Sequence, residues 1–158
     1  MTGRSVVSVV GPGECSEWEA QAAESVGRLL AANEVTIICG GRGGVMEAVC
    51  RGAQEAGGVT IGILPGLTAE EGNRYLTIAI PTGLGEGRNA IVARAGRVMI
   101  AIGGRFGTLS EIAFALKMGK QVVGLRTWDP IDADGSRTPI QIVETPEEAV
   151  ELTLMEFR

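Results

Sequence analysis

The sequence predicts a doubly wound α/β domain, with a mostly parallel sheet of about seven strands and helices on both faces. Short apolar runs rich in β-branched residues alternate with helical patterns along the chain. Several runs are apolar on both sides, which is typical of parallel strands covered by helices on each face. Glycine, with 24 of 158 residues, clusters directly behind these runs, so sharp turns are expected there. No linker or repeat interrupts the pattern, which indicates one Rossmann-like domain over residues 1–158.

Seven apolar runs are the predicted strands. They cover residues 5–10, 35–39, 60–64, 76–80, 97–102, 121–125 and 140–143.

Five helical patterns lie between and after these runs. They cover residues 17–32, 45–56, 87–95, 108–118 and 146–155. The first and the last follow Ser-x-x-Glu and Thr-x-x-Glu capping boxes, and the second and fourth stop at glycine. Thr108 and Glu111 have the same spacing, so they predict a third capping box.

Composition excludes several classes of function. The chain has no histidine, which excludes Ser-His-Asp triads, Cys-His pairs and His-ligated metal sites. A net charge of −5 argues against nucleic acid as the main partner. No apolar stretch approaches the roughly 20 residues of a membrane helix, and the first residues lack the features of a signal peptide. We therefore expect a cytoplasmic protein without membrane contact, in which Cys15, Cys39 and Cys50 are free, buried thiols.

Three glycine-rich turns follow predicted strands, at residues 11–14, 39–47 and 102–111. Ligands of such sheets bind at the carboxyl ends of the strands, and bare backbone there lets amide groups and helix N-termini approach a phosphate. The turns match neither the GxGxxG dinucleotide fingerprint nor a GxxxxGK[ST] loop. They predict a site for a phosphorylated small molecule. The candidate ligand-binding residues are Gly11, Gly13, Gly40, Gly41, Arg42, Gly43, Gly44, Met46, Gly103, Gly104, Arg105, Gly107 and Thr108.

Two charged residues leave alternatives open. Arg88 follows a glycine-rich turn at the same predicted edge and can bind phosphate or steady developing negative charge, or it can be a solvent-exposed arginine. Glu111 either caps its helix or faces the sugar of a bound ligand. Phe106, inside the third turn, either stacks on a ligand ring or packs against the protein.

The segment 127–139 is the longest predicted loop and holds all the aspartates of the chain, Asp129, Asp132 and Asp134. An EF-hand-like calcium loop would need a bidentate acidic residue at its twelfth position, and that residue is missing. A surface loop is the favoured interpretation, and no metal site is predicted.

Three segments resemble the LOG-type phosphoribohydrolase superfamily, long mislabelled as lysine decarboxylases. "GGRGGVMEAV" and "GGRFGTLSE" resemble that family's GGGxxGLMxxV and PGGxGTxxE motifs, and "GRN" at 87–89 resembles its arginine segment. The resemblance implies a homodimer or homotetramer that, without a cofactor, hydrolyses a nucleoside 5′-monophosphate to free base and ribose 5-phosphate. Arg88 and Glu111 match the catalytic pair, and Gly104, Gly107 and Thr108 match the phosphate-binding loop.

The chain departs from that pattern at two positions, with Ile102 where the motif has proline and Asn89 where it has lysine. "IGILPG", "PTGLG" and "FALKMGK" resemble a short branch of the superfamily, the molybdenum cofactor carrier proteins. That branch implies a carrier or sensor that holds a pterin phosphate without turnover. Two hypotheses therefore remain, a phosphoribohydrolase and a non-catalytic carrier, and both bind a phosphorylated ligand.

A pyridoxal-dependent decarboxylase is excluded on chemical grounds. Such an enzyme needs a lysine in a desolvated pocket for its Schiff base. The only lysines, Lys117 and Lys120, flank a predicted helix end that is remote from the glycine-rich turns.

Overall fold

All seven strands lie in one sheet, and every neighbouring pair is parallel. The computed structural model describes residues 5–158, so residues 1–4 of the predicted domain lie outside the described residues. The strands are β1 (Val6–Val10), β2 (Thr36–Cys39), β3 (Thr60–Leu64), β4 (Ile78–Pro81), β5 (Val98–Ile102), β6 (Gln121–Leu125) and β7 (Ile140–Val143). Their order across the sheet is β4-β3-β2-β1-β5-β6-β7. The predicted α/β fold is confirmed, with a sheet that is parallel throughout.

Five helices cover the sheet. They are α1 (Glu17–Ala32), α2 (Val45–Glu55), α3 (Arg88–Ala95), α4 (Phe106–Lys117) and α5 (Pro146–Met155). Buried side chains of α1, α2 and α5 share one apolar cluster with the sheet, and those of α3 and α4 share another. The helices therefore form a layer on each face of the sheet. Both layers are needed because the central strands are apolar on both sides.

Strand β4 begins two residues later than predicted, and two of the five helix starts also differ between sequence and structure. The capping box of α1 is confirmed, because Ser16 Oγ accepts from the Glu19 amide at 3.2 Å and Glu19 Oε2 accepts from the Ser16 amide at 2.8 Å. At α5, Thr145 Oγ1 accepts from the Glu148 amide, but the Glu148 carboxylate binds the Glu144 amide instead of Thr145. Only half of that predicted box exists.

The third predicted box is wrong. Helix α4 begins at Phe106, so Thr108 and Glu111 lie inside the helix and no side chain caps its first turn. Helix α3 begins at Arg88 instead of Gly87, because residues 85–87 form a separate 3₁₀ turn. These two shifts decide what the side chains near the glycine-rich turns face.

The chain reverses its winding between β1 and β5, which are neighbours although α1 and α4 leave them for opposite faces of the sheet. A crevice opens at the carboxyl ends of two such strands, and this is where ligands of doubly wound folds bind. The first and third glycine-rich turns flank this crevice. The fold thus brings together two of the three predicted turns at one switch point.

The three cysteines are free thiols, as predicted, and Cys39 and Cys50 are buried, but Cys15 is only half-buried and differs from the prediction. In the loop after β6, an antiparallel bridge joins Ile131 and Arg137. The Asp132 carboxylate there accepts the amides of Asp134 and Ser136, each at 2.9 Å. Among the helices of residues 5–158, none is long and apolar enough to cross a membrane.

Candidate functional site

A cavity of about 180 Å³ opens at the switch point, between the turns after β1 and β5 and the start of α3. It is lined by Gly11, Pro12, Gly13, Met46, Glu86, Arg88, Asn89, Arg105, Gly107, Thr108 and Glu111. The predicted pair Arg88 and Glu111 therefore shares one cavity with the third glycine-rich turn.

Two of the three helices that follow the glycine-rich turns, α2 and α4, have no side-chain cap. Ser16 and Glu19 cap α1, and the first amide of α2, that of Val45, donates to the Pro12 carbonyl at 3.0 Å. Helix α4 has no side-chain cap, and Gly107 and Thr108 in its first turn line the cavity. Unpaired amides and the positive end of the helix dipole favour an anion at this point.

Arg88 is a buried cation at the wall of the cavity, with only 8% of its surface exposed. Its Nε donates to the Ile63 carbonyl at 3.0 Å, Nη2 makes a longer bond to the Gly40 carbonyl, and Nη1 donates to Asn89 Oδ1. Within residues 5–158, no carboxylate oxygen lies within 4.0 Å of its guanidinium. The alternative of a solvent-exposed arginine is wrong, and this buried charge favours an anionic ligand.

Glu111 lies in the same cavity and is 7% exposed. Burial raises its pKa to about 8, against the opposing effect of the Arg88 charge and with a further increase from Glu86. Its carboxyl group makes no hydrogen bond or ion pair with the described part of the chain. Glu111 is therefore no helix cap, and its burial favours the protonated, neutral form.

The second glycine-rich turn packs behind the cavity, and only Met46 from it reaches the lining. A Cβ on Gly40 would lie 2.7 Å from Met46 Sδ and 2.9 Å from Arg88 Nη2. A Cβ on Gly44, where φ is +63°, would lie 2.2 Å from the Pro12 carbonyl oxygen. Here glycine allows close packing against Arg88 and the first turn. The remaining predicted residues of this turn, Gly41, Arg42 and Gly43, also lie outside the lining.

The third turn divides its residues between two cavities. Gly104 and Arg105 border a second cavity of about 510 Å³, which lies beside the start of α1. Gly103 lines neither cavity, and a Cβ there would lie 1.9 Å from the Glu19 carboxylate. Phe106 is 80% exposed and packs against Trp128, with ring centroids 5.9 Å apart.

Comparison with known proteins identifies the family. Residues 4–150 match the model of a protein family described as LDcluster4, the SLOG cluster4 family. The chain belongs to the SLOG cluster4 family. An uncharacterized protein of Archaeoglobus fulgidus is 42% identical over 144 residues, which are 91% of each chain.

Solved structures similar to this SLOG cluster4 protein include molybdenum cofactor proteins of two organisms. The molybdenum cofactor binding protein of the phototrophic bacterium Rippkaea orientalis is 36% identical, with a TM-score of 0.91 over all of both chains. The molybdenum cofactor carrier protein of Chlamydomonas reinhardtii is 33% identical, with a TM-score of 0.84 over 97% of this chain and 98% of that one. The resemblance to the carrier branch is confirmed at the level of structure.

Sequence analysis missed three residues that line the cavity of this SLOG cluster4 protein, Pro12, Glu86 and Asn89. Pro12 stands inside the first turn, and Glu86 and Asn89 flank the Gly87–Arg88 step. Their proximity to predicted residues is the available signal. In the sequence, Asn89 stands out only as a departure from the superfamily motif.

Gly107 provides a direct test of where the ligand binds. A Cβ at this position would meet no atom within 4 Å, and Gly107 lies in the first turn of α4. Gly107→Ala should therefore raise stability by up to about 1 kcal/mol, because alanine favours the helix. Gly107 lines the cavity at the uncapped start of α4, so a methyl group there should hinder a bound anion and lower the affinity for a phosphorylated ligand. Thermal unfolding and ligand titration of the variant measure the two effects, and unchanged affinity would place the ligand elsewhere.

Gly119→Ala is a useful comparison, since Gly119 also has open space around it but lies beyond the other end of α4 with φ at +72°. That variant should lose stability through backbone strain and keep its affinity.

Proposed function

We propose that this protein binds a phosphorylated pterin of the molybdenum cofactor type and carries it without chemical change. The observation that carries the proposal is the buried Arg88 guanidinium, which has no carboxylate partner within residues 5–158 and shares a cavity with the uncapped start of α4. An anionic phosphate would satisfy both groups at once. The structural similarity to two molybdenum cofactor proteins supports the choice of a pterin.

The charges around the cavity support an anionic ligand. Arg88 and Arg105 are the cations of the lining, and Glu86 and Glu111 are its acids. Burial raises the pKa of Glu111 and so favours its neutral form. The lining is then positive, and its neutral carboxyl group can donate a hydrogen bond to a ligand oxygen.

Hydrolysis of an N-glycosidic bond is the second candidate function. It is favoured by one observation, that Glu111 faces the Arg88 cavity and does not cap its helix. To stabilise an oxocarbenium-like ribosyl group, however, the carboxyl must be ionised. Burial opposes ionisation here, and the charge of a bound phosphate would oppose it further. We therefore prefer the carrier.

One experiment separates the two functions. The protein is mixed under anaerobic conditions with molybdenum cofactor released from a molybdoenzyme, separated by gel filtration and assayed for pterin fluorescence after oxidation. In parallel, nucleoside 5′-monophosphates are incubated with the protein, and free base and ribose 5-phosphate are quantified. We expect pterin to co-elute and no base to be released. Base release that Glu111→Gln abolishes would establish the hydrolase instead.

Homo-oligomer formation and a wider relation to the LOG-type phosphoribohydrolases complete the proposal. The outer side of α3 and α4 leaves Ile91 and Phe114 partly exposed, and Ala90, Ala95 and Met118 line an apolar depression beside them. A second copy of the chain would cover this surface. We propose this face for the predicted homo-oligomer.

A further inference from the structure

Asn89 connects the two anion-binding elements of the cavity. It is the second residue of α3 and is 3% exposed. Its side chain contacts Arg88 of the same helix, Glu86 of the preceding 3₁₀ turn and Ser110 of α4. A single buried amide therefore links the Arg88 cation to the helix whose N-terminus lines the cavity.

The hydrogen bonds of the Asn89 amide lead from Arg88 to the first turn of α4. Asn89 Oδ1 accepts from Arg88 Nη1, and Asn89 Nδ2 donates to Ser110 Oγ at 3.2 Å and, at a longer 3.4 Å, to Glu86 Oε2. Ser110 Oγ in turn donates to the Gly107 carbonyl at 2.6 Å. Each group uses the donor or acceptor capacity that its chemistry provides. The result is a continuous chain from the guanidinium to the first turn of α4.

All the acceptors that hold Arg88 are neutral. They are the carbonyls of Ile63 and Gly40 and the Asn89 amide oxygen, so they orient the guanidinium without cancelling its charge. Of the five N–H groups of an arginine, these bonds use three and leave two for a ligand. An acidic residue at position 89 would have nearly the same shape but would neutralise the cation. A side-chain amide at position 89 orients the Arg88 guanidinium and leaves its positive charge in place.

We infer that Asn89 is a positioning residue for anion binding, which fixes the Arg88 guanidinium and the first turn of α4 in one arrangement around the ligand phosphate. The inference rests on the proposed function for the identity of the natural ligand. The contacts themselves concern the binding of any phosphate, so inorganic phosphate is a sufficient probe.

Asn89→Asp tests the inference because it separates affinity from stability. The carboxylate that it introduces can form an ion pair with Arg88. Its second oxygen would face the Glu86 carboxylate, but Glu86 is exposed and water screens the repulsion. The variant should therefore unfold at a higher temperature than Asn89→Ala, which loses every bond of the amide. Its affinity for inorganic phosphate should nevertheless fall about tenfold or more below that of the wild type, and below that of Asn89→Ala, because the cation is neutralised. Ser110→Ala, which breaks only the link to α4, should lose less affinity. A phosphate titration monitored by NMR measures the affinity, and thermal unfolding measures the stability.

Asn33→Asp is the matched control, since Asn33 is exposed at the end of α1 and the substitution adds the same charge. It should bind phosphate like the wild type. If affinity follows stability across the Asn89 variants, or does not change, Asn89 has only a structural role and the inference is wrong.

The failure of the proposed function would be visible separately. A wild-type protein that binds phosphate through Asn89 but does not bind molybdenum cofactor would retain the inference and overturn the carrier. A wild-type protein that binds neither would overturn both.

Discussion

Replacing Arg88 by methionine should abolish useful binding of the phosphorylated ligand, with a loss of affinity of about a hundredfold or more. Methionine fills a similar volume but has no donor and no charge, so a bound phosphate would lose its buried cation. Two carbonyls, those of Ile63 and Gly40, would lose their guanidinium donor, so we also expect a loss of stability of about 1–3 kcal/mol. Arg88→Lys keeps the charge, but its three N–H donors radiate from one nitrogen and cannot match acceptors spaced around a planar guanidinium, so its affinity should be intermediate.

The matched control for this prediction lies on the same helix. Arg94 is exposed near the end of α3, so Arg94→Met removes the same charge from the chain without changing the cavity. Isothermal titration with the molybdenum cofactor, at one ionic strength, should give the wild-type affinity for this control. Equal affinities of Arg88→Met and Arg94→Met for the cofactor would show that Arg88 does not bind the ligand.

Replacing Glu111 by glutamine should stabilise the protein increasingly as the pH rises from about 4.5 to about 8, and flatten the pH dependence of stability in that range. The folded state raises the pKa of Glu111 from 4.5 to about 8, so between these values the folded state binds a proton that the unfolded state has released. Stability contributed by this group is therefore fully present below about pH 4.5 and falls as the pH rises through about 8. A shift of this size corresponds to a few kcal/mol. Glutamine keeps the shape and cannot ionise.

Denaturant unfolding of the wild type and of Glu111→Gln at intervals from pH 5 to pH 9 measures this difference. The chain contains no histidine, so few other groups titrate in the range where the two proteins should diverge. Glu151→Gln is the control, because Glu151 is exposed on α5 and does not line the cavity. Parallel stability curves for the wild type and Glu111→Gln would mean that Glu111 is solvated in the folded protein.

The same variant bears on function. In a carrier, Glu111→Gln should keep most of its affinity for the cofactor, since the amide can still donate a hydrogen bond from this position. A hydrolase would lose turnover while it retained binding.

The sequence predicted the architecture because its signals are local and repeated. Strands buried on both faces are apolar throughout, as in Val98–Ile102, and glycine or a cap separates most of them from the helices that follow. Boundaries failed where two local signals compete. Val35 continues the apolar run of β2, but its amide donates to the Leu30 carbonyl and closes the turn after α1. At α4, the spacing of Thr108 and Glu111 imitates a capping box although the helix starts earlier.

The candidate site was predicted in part, for a physical reason that concerns glycine. Close packing between backbones and close approach of a ligand both require the absence of a Cβ, so the second and third turns have the same sequence signal. Only the distances separate them, since Gly40 and Gly44 make room for the protein itself. The role of Asn89 could not be predicted, because it depends on Ser110, which is 21 residues away in the chain.

An NMR titration of the ¹⁵N-labelled protein with molybdenum cofactor tests the central claim most directly, because it reports where the phosphate binds. The account predicts that the largest shifts occur at the amides of Gly107 and Thr108 and at the side-chain Nε–H of Arg88. The amides of Gly41 and Gly43, behind the cavity, should change little. Saturable shifts confined to the second turn, or no shifts at all, would contradict the account.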